Sequence, residues 1–294
     1  MTHRLPRTAA LLLAALPLAP LLAAAPAAAA PAAPRAAPAP AATAAVADDL
    51  EVACTSMDVD LAYRLGRDIL AAVGDRASTT AVHVHDRISD TSCEVSADRP
   101  YDSASVVKVT VLGALLLDAQ ERGRKLTAGE RSLARAMITA SDNASTSALW
   151  QRLGTGRVQR FLDAAGMRAT TPGGGGFWGL TQVTARDQGT LLALLTGEND
   201  VLTDASRRYA LKLMSEVIPS QRWGTPAGAP AGAAVHLKNG WLPRATHGWR
   251  VHSLGAFTGT GRNYTITVLT EDNAVMNDGV TTIEAVSRAV HQHL

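Results

Sequence analysis

The sequence predicts an α/β chain of the α+β type. One antiparallel sheet is built from both chain ends and flanked by an N-terminal and a C-terminal helix, with an all-helical lobe inserted between. Three observations carry this. Strand-like stretches occur near residues 79–97 and again over 235–269, while the residues between them show helical stripes, caps and glycine stops. Helical stripes at 58–73 and 278–293 bracket the strands. Residues 106–117 are apolar on nearly every face, so a helix there must be buried.

The first residues stand apart from that domain. Arg4 and Arg7 precede the apolar run 9–25, and small residues at 28–30 offer a cleavage site, so residues 1–30 read as a secretory signal peptide. Pro17 and Pro20 make the run a poor membrane span, and no twin arginine or early lipid-anchor cysteine accompanies it. Residues 31–47, almost only Ala and Pro, read as a semi-extended tether. The expected domain is then 48–294, with an α/β lobe at about 48–104 and 218–294 and a helical lobe at about 105–217. The expected setting is secreted, without a stable membrane anchor. The chain has 28 basic and 26 acidic residues, and two of the basic ones lie in the leader; the balance argues against a nucleic-acid or anionic-membrane footprint. The only cysteines, Cys54 and Cys93, are too few for a metal site and in an exported chain predict one disulfide.

In order, the helix at 58–73 stops at Gly74, a strand at 79–88 follows, and 92–97 is its hairpin partner. His83 and His85 share one strand face, read as solvated; Arg87 and Ile88 break the continuation that a His-x-His-x-Asp-His metal motif needs. After the buried helix, a polar turn at 121–125 leads to a helix ending near Thr139. Helices at 144–153 and 156–165 are separated by Gly154. The glycine run 173–176 marks a loop carrying Phe177 and Trp178. A capping box at 184–187 opens a helix through Leu195, and 203–217 is helical again. A Pro/Gly/Ala-rich loop at 221–234 precedes strands at 235–239, 249–258 and 264–269.

Ser105 opens the buried helix, and Lys108 lies three residues on, hence on the same face. A hydroxyl at a helix start sits beside free N–H groups able to receive an oxyanion. A lysine in so apolar a setting is pushed towards its neutral, proton-accepting form. With only four lysines in the chain, a chance pairing is less expected than usual.

Two further pieces complete a set: Ser141-Asp142-Asn143 and Lys238-Asn239-Gly240. With Ser105-Val106-Val107-Lys108 they resemble the three motifs of the class A serine β-lactamase and penicillin-binding D,D-peptidase superfamily. The resemblance runs from about Asp58 to the C-terminus and includes a segment at 126–153 that looks much like the family's second-motif region. It implies a β-lactamase/transpeptidase-like fold and a Ser105 acyl-enzyme. Lys108 would accept the proton, Ser141 would pass one to the departing nitrogen, and Lys238 would depress the Lys108 pKa and attract a substrate carboxylate. Asn143, Asn239, Gly240, Trp241 and Arg250 would bind substrate, with the N–H groups of Ser105 and Trp241 as oxyanion hole. The implied substrate is a small-molecule β-lactam or a cell-wall peptide, handled by a monomer without cofactor or metal. The alternative is a D-Ala-D-Ala-type peptidase, or a penicillin- or cell-wall-peptide-binding module with little turnover.

Two departures matter. Asn239 stands where the family has Thr or Ser. No Asp or Glu occurs between Asp163 and Asp187, where class A enzymes place the glutamate that activates the deacylating water. Neutral candidates such as Gln182 remain, so deacylation is expected to be slow. The 108–141 segment is also short for the family, predicting a more open cleft. The absence of Gly-x-Ser-x-Gly argues against a Ser-His-Asp hydrolase.

Overall fold

The computed structural model describes residues 40–47 and 50–294. The signal-peptide reading of 1–30 lies outside them, as does most of the tether. The sheet has seven antiparallel strands: β1 (Ala41–Ala47), β2 (Leu50–Ser56), β3 (Thr79–Asp86), β4 (Thr91–Val95), β7 (Ala234–Pro243), β8 (Trp249–Gly259) and β9 (Arg262–Asn273). Their order, β1-β2-β4-β3-β9-β8-β7, joins the two chain ends through β3 and β9. A two-residue ribbon, β5 (Tyr101–Asp102) with β6 (Gln182–Val183), stands outside the sheet.

The helices are α1 (Val59–Gly74), α2 (Val107–Glu121), α3 (Ala128–Thr139), α4 (Asn143–Ala164), α5 (Ala185–Thr196), α6 (Asp204–Ser215) and α7 (Met276–His291). Side-chain caps fix three helix starts, of which the one at Thr184 is legible in the sequence. Asp58 caps α1 through Leu61 N, Thr127 and Glu130 form a reciprocal capping box on α3, and Thr184 caps α5 through Asp187 N. Gly154, at φ 68°, breaks α4 into the two expected pieces.

The sheet divides two cores. On one face Leu65 and Ile69 of α1 and Ile283 and Val286 of α7 pack on Val82, Val84, Ile266 and Val268. On the other, α2 is buried almost throughout, from Val107 to Leu117, among α3 to α6. A side chain such as Leu112, fully buried there, is worth about 2 kcal/mol of transfer free energy.

Two expectations are corrected. The tether does not run to 47: Ala41–Ala47 pairs residue for residue with β2 as an edge strand. Its composition hides this, because an edge strand needs only backbone donors and acceptors, and alanine leaves no alternating pattern. The face carrying His83 is not solvated, since α5 covers it. A Cβ at Gly189 would lie 2.1 Å from His83 Nδ1, so only glycine allows this approach, and burial pushes His83 down to about 4. Its neighbour His85 bonds Ser92 Oγ at 2.9 Å. The Cys54–Cys93 disulfide is present, joining directly paired residues of β2 and β4.

Candidate active site

Ser105 lies in a short 3-10 turn (Ala104–Val106) between β5 and α2, half-buried. Ala104 reaches it through φ 48°, and Ser141 sits at φ 57° between α3 and α4. Left-handed non-glycine residues are costly and persist only where surrounding structure imposes them, so both turns are held rather than relaxed. Ser103 N donates to Thr181 O at 2.8 Å on one side of the first turn, and Asp142 Oδ1 accepts from Ser145 N at 2.6 Å beside the second.

Lys108 and Lys238, from α2 and β7, are both fully buried and meet at one hydroxyl. Lys108 Nζ donates to Ser141 Oγ at 3.1 Å, Ser141 O at 2.6 Å and Asn143 Oδ1 at 2.8 Å. Lys238 Nζ donates to Ser141 Oγ at 3.0 Å and Asn239 O at 2.7 Å. Burial pushes Lys108 down to about 8, against a smaller opposing pull from Asp142. Lys238 is driven well below its ordinary value, by burial first and by the charge on Lys108 second. Two ammonium groups on one oxygen, away from water, favour loss of a proton from the pair.

Gly240 brings β7 against the Ser105 turn. A Cβ there would lie 2.7 Å from Ser105 N and 2.9 Å from Val106 N, so any side chain would push the strand away. Ser105 opens into a cavity of about 430 Å³ whose walls include Asn143, Phe177, Trp178, Trp241 and Arg244. The first motif, Ser141, Asn143, Lys238, Gly240 and Trp241 are therefore brought together.

Residues 123–294 match the family described as the Beta-lactamase enzyme family. The chain belongs to the β-lactamase family. Solved structures agree in fold. PBP-A aligns at 20% identity and TM-score 0.68, over 79% of this chain and 96% of PBP-A. A PBP-A variant in acyl-enzyme complex with penicillin G aligns at 22% and 0.66, over 78% and 95%. A class A β-lactamase from Bacteroides cellulosilyticus DSM 14838 aligns at 16% and 0.69, over 79% and 98%. The chain matches no curated protein.

Within this β-lactamase family member, three expected positions differ in role. Asn239 does not face the cavity. Its Nδ2 donates to Gln221 O and Trp223 O, both at 2.9 Å, and so ties the 219–224 loop to β7, a job a hydroxyl with one hydrogen could not do. Arg250 is buried on the next strand, donating to Thr246 O and lying 3.7 Å from both Asp102 and Glu271, so it is not a free carboxylate receptor. The Gln182 amide is committed to Asp102 Oδ1 at 2.6 Å and Leu180 O at 3.3 Å.

Three residues take places that sequence reasoning left empty. Trp178 lays its ring over Lys108, with Nζ 4.9 Å from the centroid, and donates Nε1–H to Ser147 Oγ at 3.1 Å. Arg244 lines the cavity just beyond Trp241, and Asp102 Oδ2 holds its Nε at 3.3 Å. The one available signal was adjacency: Asp102 precedes Ser105 by three residues, and Arg244 follows Trp241 by three.

Proposed function

We propose that this chain is an exported serine hydrolase of the β-lactamase kind, acylated at Ser105 by a β-lactam or related amide and deacylated slowly. The observation that carries the reading is the convergence of Lys108 and Lys238 on Ser141 Oγ beside the Ser105 turn, under an indole rather than a carboxylate.

In this reading neutral Lys108 takes the proton as Ser105 Oγ attacks the amide carbonyl. The oxyanion is received by the N–H groups of Ser105 and Trp241. With both lone pairs of Ser141 Oγ occupied by the lysines, its hydrogen can pass to the departing nitrogen as the C–N bond breaks, and the lysine pair resupplies it. Arg244 replaces Arg250 as receptor for an anionic substrate group, and the aromatic walls suit an apolar acyl side chain. Hydrolysis of the ester then needs a base on a water, and residues 164–186 hold no carboxylate. Loss of such a base costs a factor of about 10² to 10⁴.

The same missing base supports the second reading, a D-Ala-D-Ala-type peptidase or a binding module that acylates with little turnover. Intact-protein mass spectrometry after exposure to penicillin G tests both. A stoichiometric adduct on Ser105 lasting far longer than its formation is expected. Fast steady-state hydrolysis without adduct would overturn slow deacylation, and no adduct at all would overturn acylation by β-lactams.

A further inference from the structure

Away from the Ser105 cavity, the helical lobe gathers four guanidinium groups around two carboxylates. The last turn of α2 supplies Asp118, the residue capping its C-terminus is Arg122, the following turn supplies Arg124, the start of α3 Glu130, and the two sides of the Gly154 break in α4 supply Arg152 and Arg157. Together these six line a cavity of about 210 Å³ and share no residue with the Ser105 cavity.

Donors and acceptors do not balance there. Asp118 Oδ1 takes Arg122 Nε at 2.9 Å and Arg157 Nε at 3.0 Å, and Oδ2 takes Arg124 at 3.1 Å. Glu130 Oε2 takes Arg124 at 2.8 Å and Thr127 N at 2.8 Å, and Oε1 faces Arg152 at 3.3 Å. Burial raises both carboxyls, but the arginine hydrogen bonds outweigh it and hold each below its usual range, so both stay ionised and occupied. Arg157 also spends one terminal nitrogen on the carbonyls of Arg152 and Leu153, exposed by the break. Among the described residues, the two terminal nitrogens of Arg122, Nε and one terminal nitrogen of Arg157, and all three guanidinium nitrogens of Arg152 make no protein hydrogen bond, Arg152 and Arg157 meeting the carboxylates as ion pairs only. Arg122 and Arg152 are each about half exposed, at 52% and 55%, so these donors are reachable.

Four arginines against two carboxylates leave two positive charges over one concave site, with planar donor edges unspent. A tetrahedral oxyanion dianion matches that charge and accepts such edges bidentately. We infer that the Arg122–Arg124–Arg152–Arg157 cluster is a binding site for a phosphate-class oxyanion, either free or carried as a repeating group on a polymer.

Calorimetric titration of the full chain with pyrophosphate and with polyphosphate, at low ionic strength, tests this. Saturable binding is expected, weakened about tenfold per lost arginine contact, as a hydrogen bond to a charged group predicts. Arg122→Gln and Arg152→Gln, singly and together, read that loss, while Arg208→Gln with Lys212→Gln on α6 should leave affinity unchanged. Saturation by pyrophosphate identifies a free anion as sufficient; saturation by polyphosphate alone identifies the polymer. Should the double variant unfold, the single variants and wild-type saturation still decide. No saturable binding of either probe, or equal affinity in the cluster and α6 variants, overturns the site.

Discussion

On one wall of the Ser105 cavity, Lys108 and Lys238 stand behind the turns that carry Ser105 and Ser141, each buried and each bonded to the same hydroxyl. On the facing wall, Gly176, Phe177, Trp178 and Leu180 present no ionisable side chain. The first wall is over-determined: two left-handed residues, a strand held close by Gly240, and two lysines whose charges are unwelcome. The second is a surface for contact and water exclusion. Its one directed interaction with the lysine pair is the Trp178 ring over Lys108. The contrast teaches that ionisable groups and apolar, shape-setting groups are segregated here, the first on buried, tightly held turns and the second on an open wall.

The largest effect should come from the polar wall. Ser105→Ala should abolish covalent labelling by penicillin G and leave the melting temperature within a few degrees, since a lost helix-start hydroxyl costs about 1 kcal/mol at most. Labelling at another serine would mean that the wall was misassigned.

Lys108→Met should slow acylation by about 10² to 10⁴. In the unmodified chain, acylation should rise with pH and level off above about 8, as Lys108 loses its proton. The same lysine should leave a mark on stability. Its folded pKa of about 8 lies below the ordinary lysine value of 10.5, so between about 8 and 10.5 the unfolded chain binds more protons and stability rises with pH. The rise attributable to Lys108 is at most about 3 kcal/mol, and Lys108→Met should remove it. A pH profile of denaturant midpoints that is identical in both proteins would contradict the buried-ammonium picture.

On the aromatic wall, Trp178→Ala should admit water to the Ser105 ester and shorten the acyl-enzyme lifetime by about tenfold, leaving the acylation rate less affected. An unchanged lifetime would show that the indole does not control water access.

The smallest effect should follow Asn239→Ala, which cuts two buried hydrogen bonds to the 219–224 loop and should cost about 1 to 3 kcal/mol in a denaturant melt. Acylation kinetics that collapse while stability holds would return Asn239 to the substrate.

What the sequence determined by itself was whatever is written locally. The cap at Thr184, the break at Gly154, the all-round apolar α2 and the Ser105–Lys108 spacing depend on residues within a few positions of one another. The motif order then named the family. What only the tertiary structure decided depends on partners far along the chain. β1 is a strand because β2 offers it a ladder, not because of its alanines. His83 is buried because Gly189, over a hundred residues later, lets α5 descend on it. Asn239 turns away because carbonyls of Gln221 and Trp223 reach it, Arg250 is drawn between Asp102 and Glu271, and Trp178 arrives over Lys108. Residue type limits what a side chain can bond; which of those bonds forms is set by the neighbours that folding brings within reach.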